Sequence, residues 1–115
     1  MPCILVVDDD EQIRGLVQRV LERRGYAAVT CRTAAEALAQ TQPFDLLLVD
    51  LVLPEMDGRE LAGALRLRCP GLPVVLMSGY PTAEEMLPPP ALFLEKPMLP
   101  DAVIAAVEAL LAIKQ

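Results

Sequence analysis

The chain has 115 residues, which fits one domain over residues 1–115, and 54% of them are hydrophobic, enough to build a buried core. Its net charge of -6 argues against nucleic acid or an anionic membrane as a direct partner. Three cysteines lie far apart with no histidine in the chain, which argues against a zinc site and favours a reducing, cytoplasmic environment.

Short apolar runs alternate with amphipathic segments along the chain. The runs are typical of strands buried on both faces, and the segments between them show the period of helices. The pattern predicts strands at 3–7, 27–31, 46–50, 73–77 and 91–94. It predicts helices that end before Gly25, that run from Thr33 to Pro43 and from Arg59 to Cys69, and that begin at Pro100. This alternation predicts an α/β fold, a doubly wound five-stranded parallel sheet with helices on both faces.

The stretch from Tyr80 to Pro90 breaks the alternation. Its three consecutive prolines, Pro88, Pro89 and Pro90, exclude a helix at that point, because each proline removes a backbone donor and restricts the residue before it. We therefore expect the fourth helix, between the last two strands, to be short or missing.

Polar side chains follow four of the five predicted strands. They are Asp8 and Asp9 after the first strand, Asp50 at the very end of the third, Ser78 after the fourth and Lys96 after the fifth. The carboxyl ends of parallel strands lie at one edge of the sheet, where open α/β folds bind ligands. Each residue alone has a structural explanation, such as a turn, and for Asp10 helix capping is the better interpretation. Their occurrence at four strand ends of so small a chain favours one shared site.

The chemistry of these side chains points to phosphoryl transfer. Three clustered carboxylates repel one another unless a cation lies among them, and Mg²⁺ prefers such oxygen ligands. A lysine offers a positive charge to phosphoryl oxygens, and a hydroxyl offers a hydrogen bond. We therefore predict transfer of a phosphoryl group to a carboxylate, with Mg²⁺ as the cofactor.

As an ordered set, these motifs resemble the response-regulator receiver domains of two-component signalling, the family of the chemotaxis regulator, over the whole chain. The matching motifs are ILVVDDD at 4–10, the Asp, Pro and Met-Asp-Gly of 50–58, MSG at 77–79 and EKP at 95–97. The resemblance implies the strand order 2-1-3-4-5. It also implies that Asp50 is the phospho-acceptor.

Further roles follow from the same resemblance. It implies that Asp8, Asp9 and Asp50, together with the main-chain carbonyl of Val52, hold Mg²⁺. It implies that Ser78 and Lys96 contact the phosphoryl oxygens, that Ser78 and Phe93 act as the switch, and that the Lys96–Pro97 peptide is cis.

The function implied is that of a receiver domain that takes a phosphoryl group from a phosphohistidine and signals by a conformational change. Its partner would be a histidine kinase or a histidine phosphotransfer protein. We expect no enzymatic turnover beyond self-phosphorylation from phosphodonors and slow autodephosphorylation. The chain ends at Gln115 directly after the last predicted helix, so we expect no output domain in it. This fits a stand-alone regulator or a piece of a longer protein.

Two alternatives stay open at this point. The first is a pseudo-receiver that binds partners without phosphorylation, against which the complete acidic set and Lys96 argue. The second is a small phosphatase of the haloacid dehalogenase type, because three aspartates after an apolar strand also resemble its nucleophile motif. Against it, Gln12 stands where that motif has Thr or Val, and Asp50 would have no role.

Overall fold

The computed structural model describes residues 1–79 and 87–114, and these form five strands and four helices. The strands are β1 (Cys3–Val7), β2 (Ala27–Cys31), β3 (Leu46–Asp50), β4 (Val74–Ser78) and β5 (Ala91–Glu95). The helices are α1 (Glu11–Arg23), α2 (Ala34–Leu38), α3 (Gly58–Arg68) and α4 (Pro100–Lys114). None of these helices combines the length and the apolar character that a membrane crossing requires.

All five strands pair in parallel, in the order β2-β1-β3-β4-β5. This confirms the predicted doubly wound sheet and the strand order that the family resemblance implied. The strands β1 and β3, whose carboxyl ends lead to the predicted site aspartates, are direct neighbours. Their carboxyl ends therefore lie side by side.

Successive residues of each strand point to opposite faces of the sheet, and both faces are covered. In β1, Leu5 and Val7 pack on the face that α2 and α3 cover, whereas Ile4 and Val6 pack on the face that α1 and α4 cover. All four side chains have no exposed surface. Burial on both faces is the physical reason why the strands read as unbroken apolar runs.

The prediction that α2 reaches Pro43 is wrong, because this helix ends at Leu38. Its start is as expected: the Thr33 hydroxyl accepts a hydrogen bond from the Glu36 amide at 3.1 Å. At its end, the guanidinium of Arg68 donates to the carbonyls of Leu38 at 2.6 Å and of Gln40 at 3.1 Å. These bonds satisfy carbonyls that a longer helix would have used, so a side chain from α3 supports the early end of α2.

The predicted short or missing fourth helix falls on residues 80–86, which lie outside the described residues. Residues 87–90 contain no helix, as their prolines predict. Arg66 of α3 holds this proline segment: its guanidinium donates to the carbonyls of Pro88 at 2.7 Å, Pro90 at 2.8 Å and Leu72 at 3.0 Å. One side chain therefore links the entry of β5 to the entry of β4.

Replacing Arg66 by Ala is expected to lower the free energy of unfolding by roughly 2–3 kcal/mol, since hydrogen bonds from a charged donor are worth more than neutral ones. Lys in its place should recover little of this, because an ammonium cannot reproduce the planar fork that reaches three carbonyls. Urea unfolding measures both effects. Arg23→Ala, at an exposed position of α1, serves as the control and should change stability by less than about 0.5 kcal/mol. If Arg66→Ala were as stable as this control, Arg66 would not stabilise the fold through its bonds to the proline segment.

Candidate functional site

The register of the two central strands brings Asp8 and Asp50 together. Val7 pairs with Val49 across β1 and β3, and the next residue of each chain segment is one of the two aspartates. Asp8 is completely buried and Asp50 is 8% exposed. Two carboxylates at neighbouring, buried strand ends repel each other unless a positive charge lies between them.

Lys96 supplies that positive charge. Its Nζ atom lies 3.0 Å from Oδ2 of Asp8 and 3.0 Å from Oδ2 of Asp50. The Lys96 amide donates to the Ser78 carbonyl at 2.8 Å, which extends the pairing of β4 with β5 by one residue. The Lys96–Pro97 peptide is cis, as the resemblance implied. The structure thus brings together three of the residues that the sequence analysis selected.

A third carboxylate completes an acidic cluster that can hold a metal ion. Asp8, Asp9 and Asp50 each offer one oxygen, and these oxygens lie within 4.8 Å of one another. Asp9 is exposed, unlike the other two, so one side of the cluster faces solvent. A set of hard carboxylate oxygens open to water suits a hard divalent cation that keeps some of its waters.

The buried Asp8 is held in place by its own chain segment. Its Oδ1 accepts a hydrogen bond from the Asp10 amide at 2.8 Å, and its main-chain carbonyl accepts one from Nη1 of Arg14 at 2.9 Å. Asp10 in turn caps α1, because its side chain accepts from the amides of Gln12 and Ile13, as predicted. Arg14 is not among the residues predicted from the sequence; its position one helical turn after the aspartates is the signal that could have identified it.

The loop after Asp50 folds back onto the end of β3. The Val52 amide donates to Oδ1 of Asp50 at 3.2 Å, and the Gly58 amide donates to the Leu51 carbonyl at 2.7 Å. A Cβ atom on Gly58 would lie only 2.3 Å from the Asp50 carbonyl oxygen. In the sequence, Gly58 stands out only as part of a motif; the structure shows that this position has no room for a side chain. The proposed role of the Val52 carbonyl as a metal ligand stays a prediction.

Ser78 and Phe93 lie on the neighbouring strands β4 and β5. Ser78 is the last residue of β4 and is 8% exposed, next to the strand that carries Asp50. Phe93 is half-buried and packs against the core on the α2 and α3 face, opposite Leu76. The positions of both residues agree with the sequence analysis, and their role as a switch stays a prediction.

Burial and neighbouring charges have opposing effects on the pKa values of the site residues Asp8 and Lys96. Burial raises the pKa of Asp8 above its ordinary value, and the nearby charge of Asp50 raises it further, although the Asp10 amide and Lys96 act in the other direction. Burial alone would lower the pKa of Lys96, but the hydrogen bonds and charges of Asp8 and Asp50 outweigh it and raise this pKa. The lysine is therefore fully charged at neutral pH, whereas the ionised form of Asp8 is disfavoured by its surroundings.

Replacing Asp8 by Asn is expected to weaken Mg²⁺ binding and to leave the metal-free protein as stable as before, or more stable by on the order of 1 kcal/mol. Asn keeps an oxygen that can accept from the Asp10 amide, and Lys96 keeps its contact with Asp50. Urea unfolding at pH 7, with and without Mg²⁺, tests both statements. Added Mg²⁺ should stabilise the natural protein by mass action and stabilise the variant much less.

The pH dependence gives this prediction a second check. A carboxyl with a raised pKa in the folded state contributes stability below its unfolded pKa and loses that contribution as the pH rises through the folded value. The advantage of Asp8→Asn at neutral pH should therefore shrink as the pH falls and Asp8 of the natural protein takes up its proton. If Asp8→Asn bound Mg²⁺ as tightly as the natural protein does, the ion would have to bind at a site that does not include Asp8.

Comparisons with known proteins agree with this geometry. A family model described as the response regulator receiver domain matches residues 4–108. The response regulator receiver protein CpdR of Brucella abortus is 38% identical over 82 residues, which cover 70% of this chain and 68% of that protein. The transcriptional regulatory protein PhoP of Bacillus subtilis, named for alkaline phosphatase synthesis, is 36% identical over 114 residues. The match covers 94% of this chain but 48% of PhoP, so the chain spans about half the length of that relative.

Solved structures show the same relationship. A CheY-like receiver domain protein from Methanospirillum hungatei JF-1 superposes with a TM-score of 0.90 and 30% identity, over 99% of this chain and 96% of that one. The receiver domain of the hybrid histidine kinase CckA gives a TM-score of 0.81 and 30% identity, over 95% and 98% of the two chains. The family match favours the receiver interpretation over the phosphatase alternative. This chain belongs to the response regulator receiver domain family of two-component systems.

Proposed function

We propose that this receiver domain accepts a phosphoryl group on Asp50 from the phosphohistidine of a histidine kinase or a histidine phosphotransfer protein. The observation that carries the proposal is the position of Lys96, whose Nζ lies 3.0 Å from carboxylate oxygens of both Asp50 and Asp8. A cation held between two carboxylates can stay with Asp8 while it turns toward a phosphoryl group on Asp50.

The reaction is a displacement at phosphorus. A carboxylate oxygen of Asp50 attacks, the new bond joins that oxygen to phosphorus, and the bond from phosphorus to the histidine nitrogen breaks. The electron pair of the broken bond stays on the imidazole. Lys96 then balances charge on the phosphoryl oxygens and the Ser78 hydroxyl donates a hydrogen bond to one of them, so two neighbouring strands contact the product.

Mg²⁺ fits the proposed site because Asp8, Asp9 and Asp50 present hard oxygen ligands close to one another. The Val52 carbonyl is the proposed main-chain ligand, two residues after Asp50. When bound, Mg²⁺ neutralises the carboxylates and the charge that develops on the transferring phosphoryl group. The chain's own contribution is to fix the carboxylates: the Asp10 amide orients Asp8 and the Val52 amide orients Asp50.

The signal is proposed to start at Ser78 and to pass to Phe93. Ser78 pairs with Glu95 at the carboxyl ends of β4 and β5, and Phe93 lies two residues before Glu95 on the same strand. A shift of the Ser78 hydroxyl toward the phosphoryl group would alter the end of β4 and thereby the packing of Phe93. We propose no separate substrate and no turnover beyond self-phosphorylation and slow autodephosphorylation. The three free cysteines support a reducing compartment such as the cytoplasm.

Incubation with Mg²⁺ and a small acyl phosphate tests the proposed function. The intact mass should increase by one phosphoryl group, and peptide mapping should place that group on Asp50. Omission of Mg²⁺ should prevent the increase, because the carboxylate cluster then lacks the charge that offsets it. An unchanged mass under conditions where an established receiver domain is phosphorylated would favour the pseudo-receiver alternative.

A further inference from the structure

A cavity of about 260 Å³ lies between α3 and the segment that follows α2, at the end of the sheet opposite to Asp50. Its floor is apolar and comes from the core face that α2 and α3 cover. The floor residues are Leu5, Phe44, Leu47, Leu65 and Leu72, each less than 10% exposed. Apolar cavities of about 150 Å³ already take up benzene, so this one has room for a ring with a substituent.

The cavity follows from how this chain covers its sheet. Because α2 ends at Leu38, residues 40–43 pass the sheet as a loop and line the mouth of the cavity. The buried residues of α2 are alanines, Ala34 and Ala37, which fill little space. Aromatic residues make up only 3% of the chain, and Phe44 is the one described aromatic residue that lines this cavity.

The mouth of the cavity is lined mostly by polar residues. It is formed by Gln40, Thr41, Gln42, Pro43, Arg68 and Cys69. Arg68 is the one charged side chain among the described residues that line the cavity. Its Nη1 and Nη2 atoms hold the carbonyls at the end of α2, and no described residue accepts from its Nε. A guanidinium has five N–H donors, so this arginine keeps donors for an anion while it holds α2.

We propose that this cavity binds a small amphiphilic carboxylate, with a ring or a short branched chain on the leucine floor and its carboxylate at Arg68. The chain carries a net charge of -6, which disfavours an anion elsewhere on its surface, whereas a guanidinium at an apolar cavity selects one. A cationic head group would find no acidic partner among the lining residues. The site is separate from the phospho-acceptor, so its occupation does not depend on the proposed function.

Phenylacetate is the probe for this site, and two-dimensional NMR of the amide groups is the measurement. We expect saturable shifts with a Kd of about 1 mM, the range for a ligand of this size, at the amides of residues 40–42, 44, 68, 69, 71 and 72. The neutral 2-phenylethanol should bind at least about fivefold more weakly, and acetate should cause no saturable shift. The same shifts should appear in Asp50→Asn, so failure of phosphorylation and failure of this proposal are distinguishable.

Two variants and one control make the test specific. Arg68→Gln should weaken phenylacetate binding to the level of 2-phenylethanol, and Cys69→Phe, whose ring enters the mouth, should prevent binding of both. Arg32→Gln, at an exposed arginine outside the cavity, should leave binding unchanged. The proposal is overturned if phenylacetate shifts amides elsewhere or none at all, if the alcohol binds equally well, or if Arg68→Gln has no more effect than Arg32→Gln.

Discussion

Replacing Asp50 by Asn is expected to reduce phosphorylation by a small acyl phosphate to background while the fold is retained. The substitution keeps the size of the side chain and an oxygen that can accept from the Val52 amide. It removes the negative charge that makes the carboxylate a nucleophile and that pairs with Lys96. Lys96 keeps Asp8 at 3.0 Å, so no buried charge is left without a partner and the variant should fold.

Intact mass spectrometry measures this loss, and circular dichroism shows whether the fold is retained. Asp101→Asn, at an exposed position of α4, is the matched control and should be phosphorylated like the natural protein. If Asp50→Asn gained the same mass as this control, the phospho-acceptor would be a different residue. In that case the mapped peptide would identify it, and the cluster around Lys96 would have to be assigned another role.

Gly58→Ala is expected to cause the largest loss of stability among single methyl additions to α3, about 3 kcal/mol. The new Cβ would lie 2.3 Å from the Asp50 carbonyl oxygen, 3.1 Å from the Asp50 carbonyl carbon and 3.0 Å from Cα of Leu51. All three are backbone atoms of the segment that carries the proposed acceptor, so relief of the clash requires α3 to move away from β3. Phosphorylation should therefore fall together with stability.

The same helix offers a control for this prediction. Gly63 is exposed, and a Cβ built on it meets no atom within 4 Å. Gly63→Ala should stabilise the protein by up to about 1 kcal/mol, because alanine is the better helix former and nothing obstructs it. Urea unfolding of the two variants should therefore give shifts of opposite sign. Equal shifts would show that the close approach at Gly58 can relax without cost.

The strands and the candidate site were predictable from the sequence because both depend on local patterns. A strand buried on both faces must be apolar throughout, so runs such as Leu46 to Val49 stand out from their neighbours. A polar residue within two positions of the end of such a run must then lie at the sheet edge, which selects Asp8, Asp50, Ser78 and Lys96 from the sequence. The strand order came from the resemblance of the ordered motifs to a family, since periodicity does not encode which strands pair.

Contacts between residues far apart in the chain were decided only by the tertiary structure. Lys96 reaches Asp50 across 46 residues, and Arg66 reaches Pro90 across 24. Arg68, a residue 30 positions after Leu38, supports the early end of α2, and no pattern within the helix shows this contact.

The space at Gly58 and the cavity beside Arg68 likewise arise only when separate elements pack together. By itself, the sequence determined where the strands form and which polar side chains lie at their carboxyl ends, because neighbouring residues encode burial and alternation. The tertiary structure decided the distances within the site, the lack of room for a side chain at Gly58 and the volume of the cavity beside Arg68. These depend on how elements that are distant in the sequence pack against one another.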